Sequence, residues 1–320
     1  MTPRLRRSIT LLGFALIVVF FAVRLPDTFL APRNLLNIGT QISMLATVAA
    51  TMTIVMVMND FDLSVGSMAS LAGVAAAVLF ASGHPVWAGV IASLAIGAAG
   101  GAFNGFLVAV VGILPFVATL GTLTVFSGIA FLASGGKTIF GRDIPEGFAG
   151  FARGGLPLDA LGLDGVRLPA LTLLAAAVVA LCWVLLERTV FGRHLYAIGG
   201  NRDAARLAGV PVRRLRTIAF AIAGLGAAGA GLMYAARVAS ANPVQGGGLM
   251  LDAIAAVFLG MTMSRGGEPR VAFTLVGVAM LGLLDNGLTQ LRVDSYWREI
   301  MVGLIVIAAV AVSSYSRRAR

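Results

Sequence analysis

The run Asn59-Asp60-Phe61-Asp62-Leu63-Ser64-Val65-Gly66-Ser67 places two carboxylates, two hydroxyls and an amide between two apolar stretches. Side chains of this kind can do either of two things at membrane depth: cap a helix, or replace the water around a polar solute with hydrogen bonds. Asp62 or Ser64 can cap the helix that follows, and Gly66 relaxes the backbone there. A broken, capped segment between short spans also exposes polar groups to a pathway. A simple inter-span turn and a pathway wall therefore both remain open. Asn104 is a second candidate, because an unpaired amide is costly in lipid and must bridge to a neighbouring helix or line a route. Beside it, Gly97, Gly101 and Gly105 recur every four residues and form a smooth face for close helix contact, where Gly101→Leu is expected to be disruptive and Gly101→Ala mild. A third polar island, Asp285-Asn286-Gly287, lies near the outer end of the ninth predicted span.

A different chemistry belongs to the loop 188–216, which carries Arg188, Arg193, Arg202, Arg206, Arg213, Arg214 and Arg216 against the single acid Asp203. Asn201 can cap a short helix over 202–208, with Asp203 in the first turn where the helix dipole favours an acid. Gly209 stops that helix, and Pro211 stands where the next can begin. Ala204, Ala205, Leu207 and Ala208 give it a small apolar face, while Arg202 and Arg206, four apart, share a charged one. Such a helix suits a groove on a soluble partner; a plain inner loop obeying the positive-inside rule is the alternative.

Catalytic patterns fail on inspection. Gly224-Leu-Gly226-Ala-Ala-Gly229 matches a dinucleotide fingerprint but lies within an apolar span with no strand before it, so small-residue helix packing explains it better. Gly136-Lys137-Thr138 resembles the end of a phosphate-binding loop, yet Phe131 stands where the first glycine is required. His84 and His194 lie in separate loops and Cys182 is the one cysteine, so no metal site, serine–histidine triad or disulfide framework is expected. The chain does not read as an enzyme.

These groups must be positioned by membrane helices. With 58% hydrophobic and 12% charged residues and a mean hydropathy of +0.93, the 320-residue chain reads as an all-α polytopic membrane protein. Apolar runs predict about ten transmembrane helices, near 9–30, 38–58, 67–82, 86–110, 113–134, 168–187, 217–239, 249–263, 271–291 and 296–313. The basic start and apolar run at 9–23 mimic a signal peptide but are read as a retained first span, and residues 1–320 as a single transmembrane domain. With both termini inside, the whole formal charge of +10 falls on the inner side, as the positive-inside rule requires. The arginines are thus topology signals, and nucleic acid is not expected as a partner despite a pI near 11.2. The long outer loop 135–167, rich in Gly and Pro, reads equally as a docking or gating surface and as a floppy connector.

Taken together the chain resembles the permease subunits of bacterial ABC importers for monosaccharides, the ribose/xylose/arabinose type, over nearly its whole length. The resemblance rests on Asp62-Leu63-Ser64-Val65-Gly66-Ser67, on Asn104-Gly105 with Pro115-Phe116 and Thr119-Leu120-Gly121-Thr122, and on Asn286-Gly287-Leu288. Most specific is Gly192-Arg193 through Tyr196-Ala197-Ile198-Gly199-Gly200-Asn201 to Ala204-Ala205-Arg206-Leu207-Ala208-Gly209-Val210. It implies a homodimer or heterodimer of permeases in the bacterial cytoplasmic membrane, a cytoplasmic ATPase that holds ATP-Mg, and an extracytoplasmic sugar-binding protein. It also implies that the loop 188–216 is cytoplasmic and holds the coupling helix. The chain itself is expected to bind lipid but no cofactor. On these readings the substrate pathway falls to Asn59, Asp62, Ser64, Ser67, Asn104, Thr119 and Asn286, and ATPase coupling to Asn201, Arg202, Ala205, Arg206, Leu207 and Gly209. Where the family usually has two glycines this chain has Asn59-Asp60, and Met261, Glu268 and Pro269 replace small residues. Asp285 stands where asparagine is common. The alternatives are an ion-coupled secondary transporter with Asp62, Asp252 or Asp285 as relay, or an ABC permease for a branched-chain amino acid, a nucleoside or a signalling furanone (autoinducer).

Overall fold

The structure, a computed structural model, describes residues 3–159, 166–264, 266–294, 296–297, 299–305 and 307, with side chains from Arg7 onward. The main helices are α1 (Pro3–Arg24), α2 (Pro32–Met56), α3 (Val65–Ala81), α4 (Val86–Phe106), α5 (Pro115–Ser134) and α6 (Glu146–Arg153). They continue with α7 (Ala170–Arg188), α8 (Val190–Gly200), α9 (Arg202–Leu207), α10 (Val212–Val238), α11 (Leu249–Met263) and α12 (Val271–Gln290). Among the described residues seven helical stretches are long and apolar enough to cross a membrane; α3 and α11 are apolar but shorter. The chain is an all-α polytopic membrane protein. The expected tenth span is helical at 296–297, 299–305 and 307, and its remainder lies outside the described residues.

Local chemistry accounts for the boundaries. The first span stops at Arg24 rather than near residue 30, because Pro26 lacks an N–H and disfavours helix at Leu25. Helix α2 starts at Pro32, earlier than its apolar run, since a proline at the first helical position loses no bond and Asn34 and Asn37 can face a polar neighbour. Likewise α10 absorbs Arg213, Arg214 and Arg216 into its first turns. Helix α4 runs on through a π-helical turn, Leu107–Val111, which Gly112 ends in the left-handed region at φ +90°.

The 27-residue α10 is the hub, packed on α2, α3 and α4. Its small residues allow backbone contact: a Cβ on Gly97 would meet Gly224 O and Ala228 Cβ, one on Gly101 would meet Phe220 O, and one on Gly105 would meet Thr217. The glycine face of α4 is therefore a packing face, and tighter than expected, because even alanine at 101 collides with backbone. The fingerprint-like glycines serve the same end, with Gly224 against Gly97 and Gly101 and Gly226 against Thr51.

The loop 135–167 is ordered over its described part. Helix α6 buries Phe148, Ala149 and Ala152, and Phe148 meets Phe80 with ring centroids 5.0 Å apart. A two-residue strand β1 (Ile139–Phe140) pairs antiparallel with the last strand, β4 (Ser240–Ala241), tying the loop to the end of α10. Between them in sequence, β2 (Gly155–Pro157) pairs antiparallel with β3 (Arg167–Pro169).

Candidate functional site

Two polar assemblies stand at opposite ends of the bundle. The first lies where α2 gives way to α3, at the end that carries residues 188–216. Asn59 adopts φ +58°, a left-handed conformation that asparagine tolerates better than most residues and that glycine would adopt freely. Its Nδ2 donates to Gly199 O at 2.7 Å, so Asn59 faces the basic loop rather than the interior.

Asp62, buried, accepts from Ser64 N at 2.9 Å and from Ser64 Oγ at 2.6 Å. Asn104 Nδ2 donates to Ser64 Oγ at 2.8 Å and lies 3.5 Å from Asp62 Oδ1, whereas Asn104 Oδ1 meets no donor among the described residues. Thr119 Oγ1 closes the group, 2.8 Å from Pro115 O and 3.5 Å from Phe61 O. Ser67 Oγ donates locally, to Ser64 O at 2.9 Å. Asp62, Ser64, Asn104 and Thr119 thus converge from the break, α4 and α5. Asn104 bridges to its neighbour, one of its two expected roles. Of the two capping candidates Ser64 is corrected: it occupies the N-cap of α3 but its side chain makes no capping bond, because Asp62 and Asn104 engage it, whereas Asp62 accepts from the Ser64 backbone N–H just ahead of the helix.

Sequence reasoning missed the ion node beside this group. Asp60, 1% exposed, receives Arg216 Nε at 2.7 Å and Nη2 at 2.9 Å, and Arg202 Nη2 at 3.1 Å. Arg216 Nη1 also reaches Val108 O at 3.3 Å. Arg216 had a role only as a topology charge; the available signal was an acid standing where the resembling family has glycine.

Asn201 caps α9 by accepting from Ala204 N at 2.9 Å, and Gly209 ends it with φ +81°. The helix's apolar residues do not form one face. Ala205 is 5% exposed and packs inward, while Leu207 is 86% exposed. The shared charged face is corrected as well, because Arg202 reaches back to Asp60 and Arg206 pairs on the surface with Asp203 at 3.3 Å. Nearby, Tyr196 Oη lies 3.0 Å from both Glu187 Oε1 and Pro269 O, and Arg270 Nη1 is 2.8 Å from Glu187 Oε2. Burial, then the adjacent Glu187, pushes the Tyr196 phenol well above its ordinary pKa, so it stays protonated and can donate. The basic loop is thereby strapped both to the polar break and to the α11–α12 turn.

Asn286 belongs to the second assembly. Its Oδ1 receives Gln290 Nε2 at 2.7 Å and Asn34 Nδ2 at 2.9 Å; its Nδ2 reaches Asn34 Oδ1 at 3.2 Å and Gln41 Oε1 at 3.5 Å. Thr28 Oγ1 donates to Gln290 Oε1 at 2.7 Å. Since Asn34 begins α2 and Asp62 follows its end, roughly 30 Å of helix separates the assemblies at 1.5 Å per residue. Asn286 is not part of one cluster with Asp62 and Asn104. Two cavities flank the amides: an outer one of about 560 Å³ against Asn34 and Gln290, and a deeper one of about 260 Å³ against Gln41, Arg237, Asp252 and Asp285. Among the described residues no group of three or more His, Cys, Asp or Glu could hold a metal ion.

A family profile described as branched-chain amino acid transport system / permease component matches residues 34–310. The chain is 38% identical to the ribose import permease protein of Bacillus subtilis (strain 168), over 93% of this chain and 90% of that protein. It is 35% identical to the L-arabinose transport system permease protein of Escherichia coli (strain K12), over 97% and 91%. The D-allose transport system permease protein of the same strain is 33% identical, over 93% and 88%. No solved structure matches.

Proposed function

We propose a function that proceeds from one premise: this chain belongs to the permease family described as branched-chain amino acid transport system / permease component. Within it the chain is the membrane permease subunit of an ABC importer for a monosaccharide; it is a transport subunit and not an enzyme. This rests on sugar-permease relatives that match more than 90% of the chain. It works with an ATPase that binds ATP-Mg and with a binding protein that delivers the sugar. The finer arrangement is that two permease copies pair in the bacterial inner membrane, with both termini and the loop 188–216 in the cytoplasm.

One observation carries the mechanism: α9 presents Leu207 outward while Arg202, on the same helix, holds Asp60, two residues before Asp62. A push on Leu207 by the ATPase is delivered through α9 and the Arg202–Asp60 contact to the break between α2 and α3. The Asp62, Ser64 and Asn104 groups there can exchange their mutual bonds for bonds to a passing sugar, which offsets the cost of stripping its water. Asn286 and its amide partners do the same at the extracytoplasmic end.

The test is uptake of labelled D-ribose, L-arabinose and D-allose into proteoliposomes holding the permease, its ATPase and its binding protein. Uptake that needs internal ATP and survives ionophores supports the reading. Uptake by the permease alone, abolished by a protonophore or sodium ionophore, transfers the assignment to a secondary transporter.

A further inference from the structure

Helix α7 packs on the bundle chiefly through α2. Beside that contact it stands away from α12, and a cleft of about 410 Å³ remains between the three helices. Ala176, Ala180 and Trp183 line it from α7, Ser43 and Ala46 from α2, and Ala272 from α12. Water does not suit this space. Ser43 Oγ already donates to Gly39 O at 2.7 Å, which leaves Thr172 as the only other hydroxyl on the wall, whereas an ordered water needs about two to four polar partners. The occupant is apolar.

The cleft has one closed and one open end. At the closed end Gly39 lies against Thr172, whose Oγ1 is 3.2 Å from where a Cβ on that glycine would stand. The other end opens between Trp183 and Val271, on the side of the bundle that carries the loop 188–216. From Thr172 to Trp183 the helix rises roughly 16 Å at 1.5 Å per residue. That is close to half of a hydrocarbon core about 30 Å thick, so the cleft is one leaflet deep. At roughly 30 Å³ for a methylene-sized group, the liquid volume of a water, it takes about fourteen such groups, the size of one acyl chain. A helix about 10 Å across would need on the order of 1,200 Å³ over the same length, so a span of a second copy does not fit.

Charge at the open end selects the kind of lipid. Arg188 is exposed, ends α7, and holds its guanidinium carbon 5.0 Å from the centroid of the Trp183 ring. Stacking uses the flat face of a guanidinium and leaves its N–H edges free to donate. Among the described residues no carboxylate lies within ion-pair reach of Arg188, because the adjacent Glu187 pairs with Arg270 at 2.8 Å. An indole and a free arginine at the mouth of an acyl-sized cleft match the interfacial level of a bilayer and a headgroup of net negative charge.

We propose that the cleft between α7 and α12 is a binding site for one anionic phospholipid, its acyl chain lying along Ala180 and Ala176 and its phosphate on Arg188. The cytoplasmic placement of the loop 188–216 makes it an inner-leaflet lipid; the site itself does not rest on the importer reading. Because Arg188 leads through Thr189 into α8, the lipid braces the helix from which that loop continues.

Trp183 is the reporter. In a Trp87→Phe, Trp297→Phe background, both exposed positions, it is the one indole left. The full-length permease is placed in phosphatidylcholine vesicles, and the lipid is replaced stepwise by dibrominated phosphatidylglycerol or, in a parallel series, by dibrominated phosphatidylcholine. Bromine on a chain that touches the indole quenches its fluorescence. Half-quenching is expected at an about fivefold lower mole fraction of the anionic lipid, the worth of one arginine at an anionic surface. Arg188→Gln is expected to bring the two curves together and Arg188→Lys to restore most of their separation. Ala176→Phe, at an exposed position, fills the cleft two turns from the headgroup and is expected to abolish the preference while Arg188 is still present. Coincident curves in the parent protein overturn the site. So does a preference that survives Ala176→Phe, which means attraction at the surface with no chain seated. Quenching by neither lipid overturns it as well and gives the face to a second permease copy. All three results leave the importer reading standing, since sugar uptake decides that separately.

Discussion

Replacing Asp60 with alanine removes the acceptor of three guanidinium contacts at once, and their exposures decide what that costs. Arg216 has a side chain only 7% exposed and meets Asp60 through two nitrogens at 2.7 and 2.9 Å. Without Asp60 its charge is left buried and uncompensated, a loss of about 3–5 kcal/mol. Arg202 is 45% exposed, so water screens its bond and its share is at most about 1 kcal/mol. Asp60→Ala should therefore destabilise the permease by about 3–5 kcal/mol and Arg202→Ala by about 1 kcal/mol or less. Asp60→Ala combined with Arg216→Leu should recover much of the loss, since no buried charge then remains. The assay is a denaturant titration of the purified permease in mixed micelles, read as a double-mutant cycle. Asp60→Ala within about 0.5 kcal/mol of wild type, the span of ordinary surface changes, would refute the reasoning.

The glycine face of α4 offers a sharper test than expected from sequence: Gly101→Ala should reduce folded yield because its Cβ meets Phe220 O, at about 1–3 kcal/mol of overpacking, whereas Gly121→Ala, with open space around it, should not. Equal folded yields would remove the packing account. Asp62→Ala leaves Ser64 N and Ser64 Oγ without their acceptor, so uptake per folded complex should fall; wild-type uptake per complex would reduce the segment to a turn. Ala205→Asp should unfold the α9 region, because Ala205 is buried, and hydrogen exchange there is the readout; unchanged protection would contradict the inward placement.

Much of this architecture was legible because each signal was local. Apolar runs mark most spans, a four-residue glycine spacing marks the contact of α4 with α10, and Asn201 with Gly209 brackets α9. What escaped depends on contacts between distant segments. Asp60 finds Arg216 only after α2 and α10 pack side by side, and nothing within either segment announces it. Which side of α9 turns inward is another such case: Ala205 and Leu207, two apart, cannot share a helix face, and only packing against the bundle selects Ala205 as the buried one. The amide partners of Asn286 escaped for the same reason, since Asn34 and Gln41 on α2 reach it only once α2 and α12 pack together.

The central claim is that hydrolysis on a separate ATPase is coupled through α9. Leu207→Asp tests it most directly, because Leu207 is 86% exposed and its replacement leaves the permease fold intact. The measurement is ATP hydrolysis by the reconstituted complex, with and without sugar-loaded binding protein. The account predicts that the variant inserts normally yet loses both ATPase co-purification and the stimulation by loaded binding protein. Full stimulation in Leu207→Asp would contradict it.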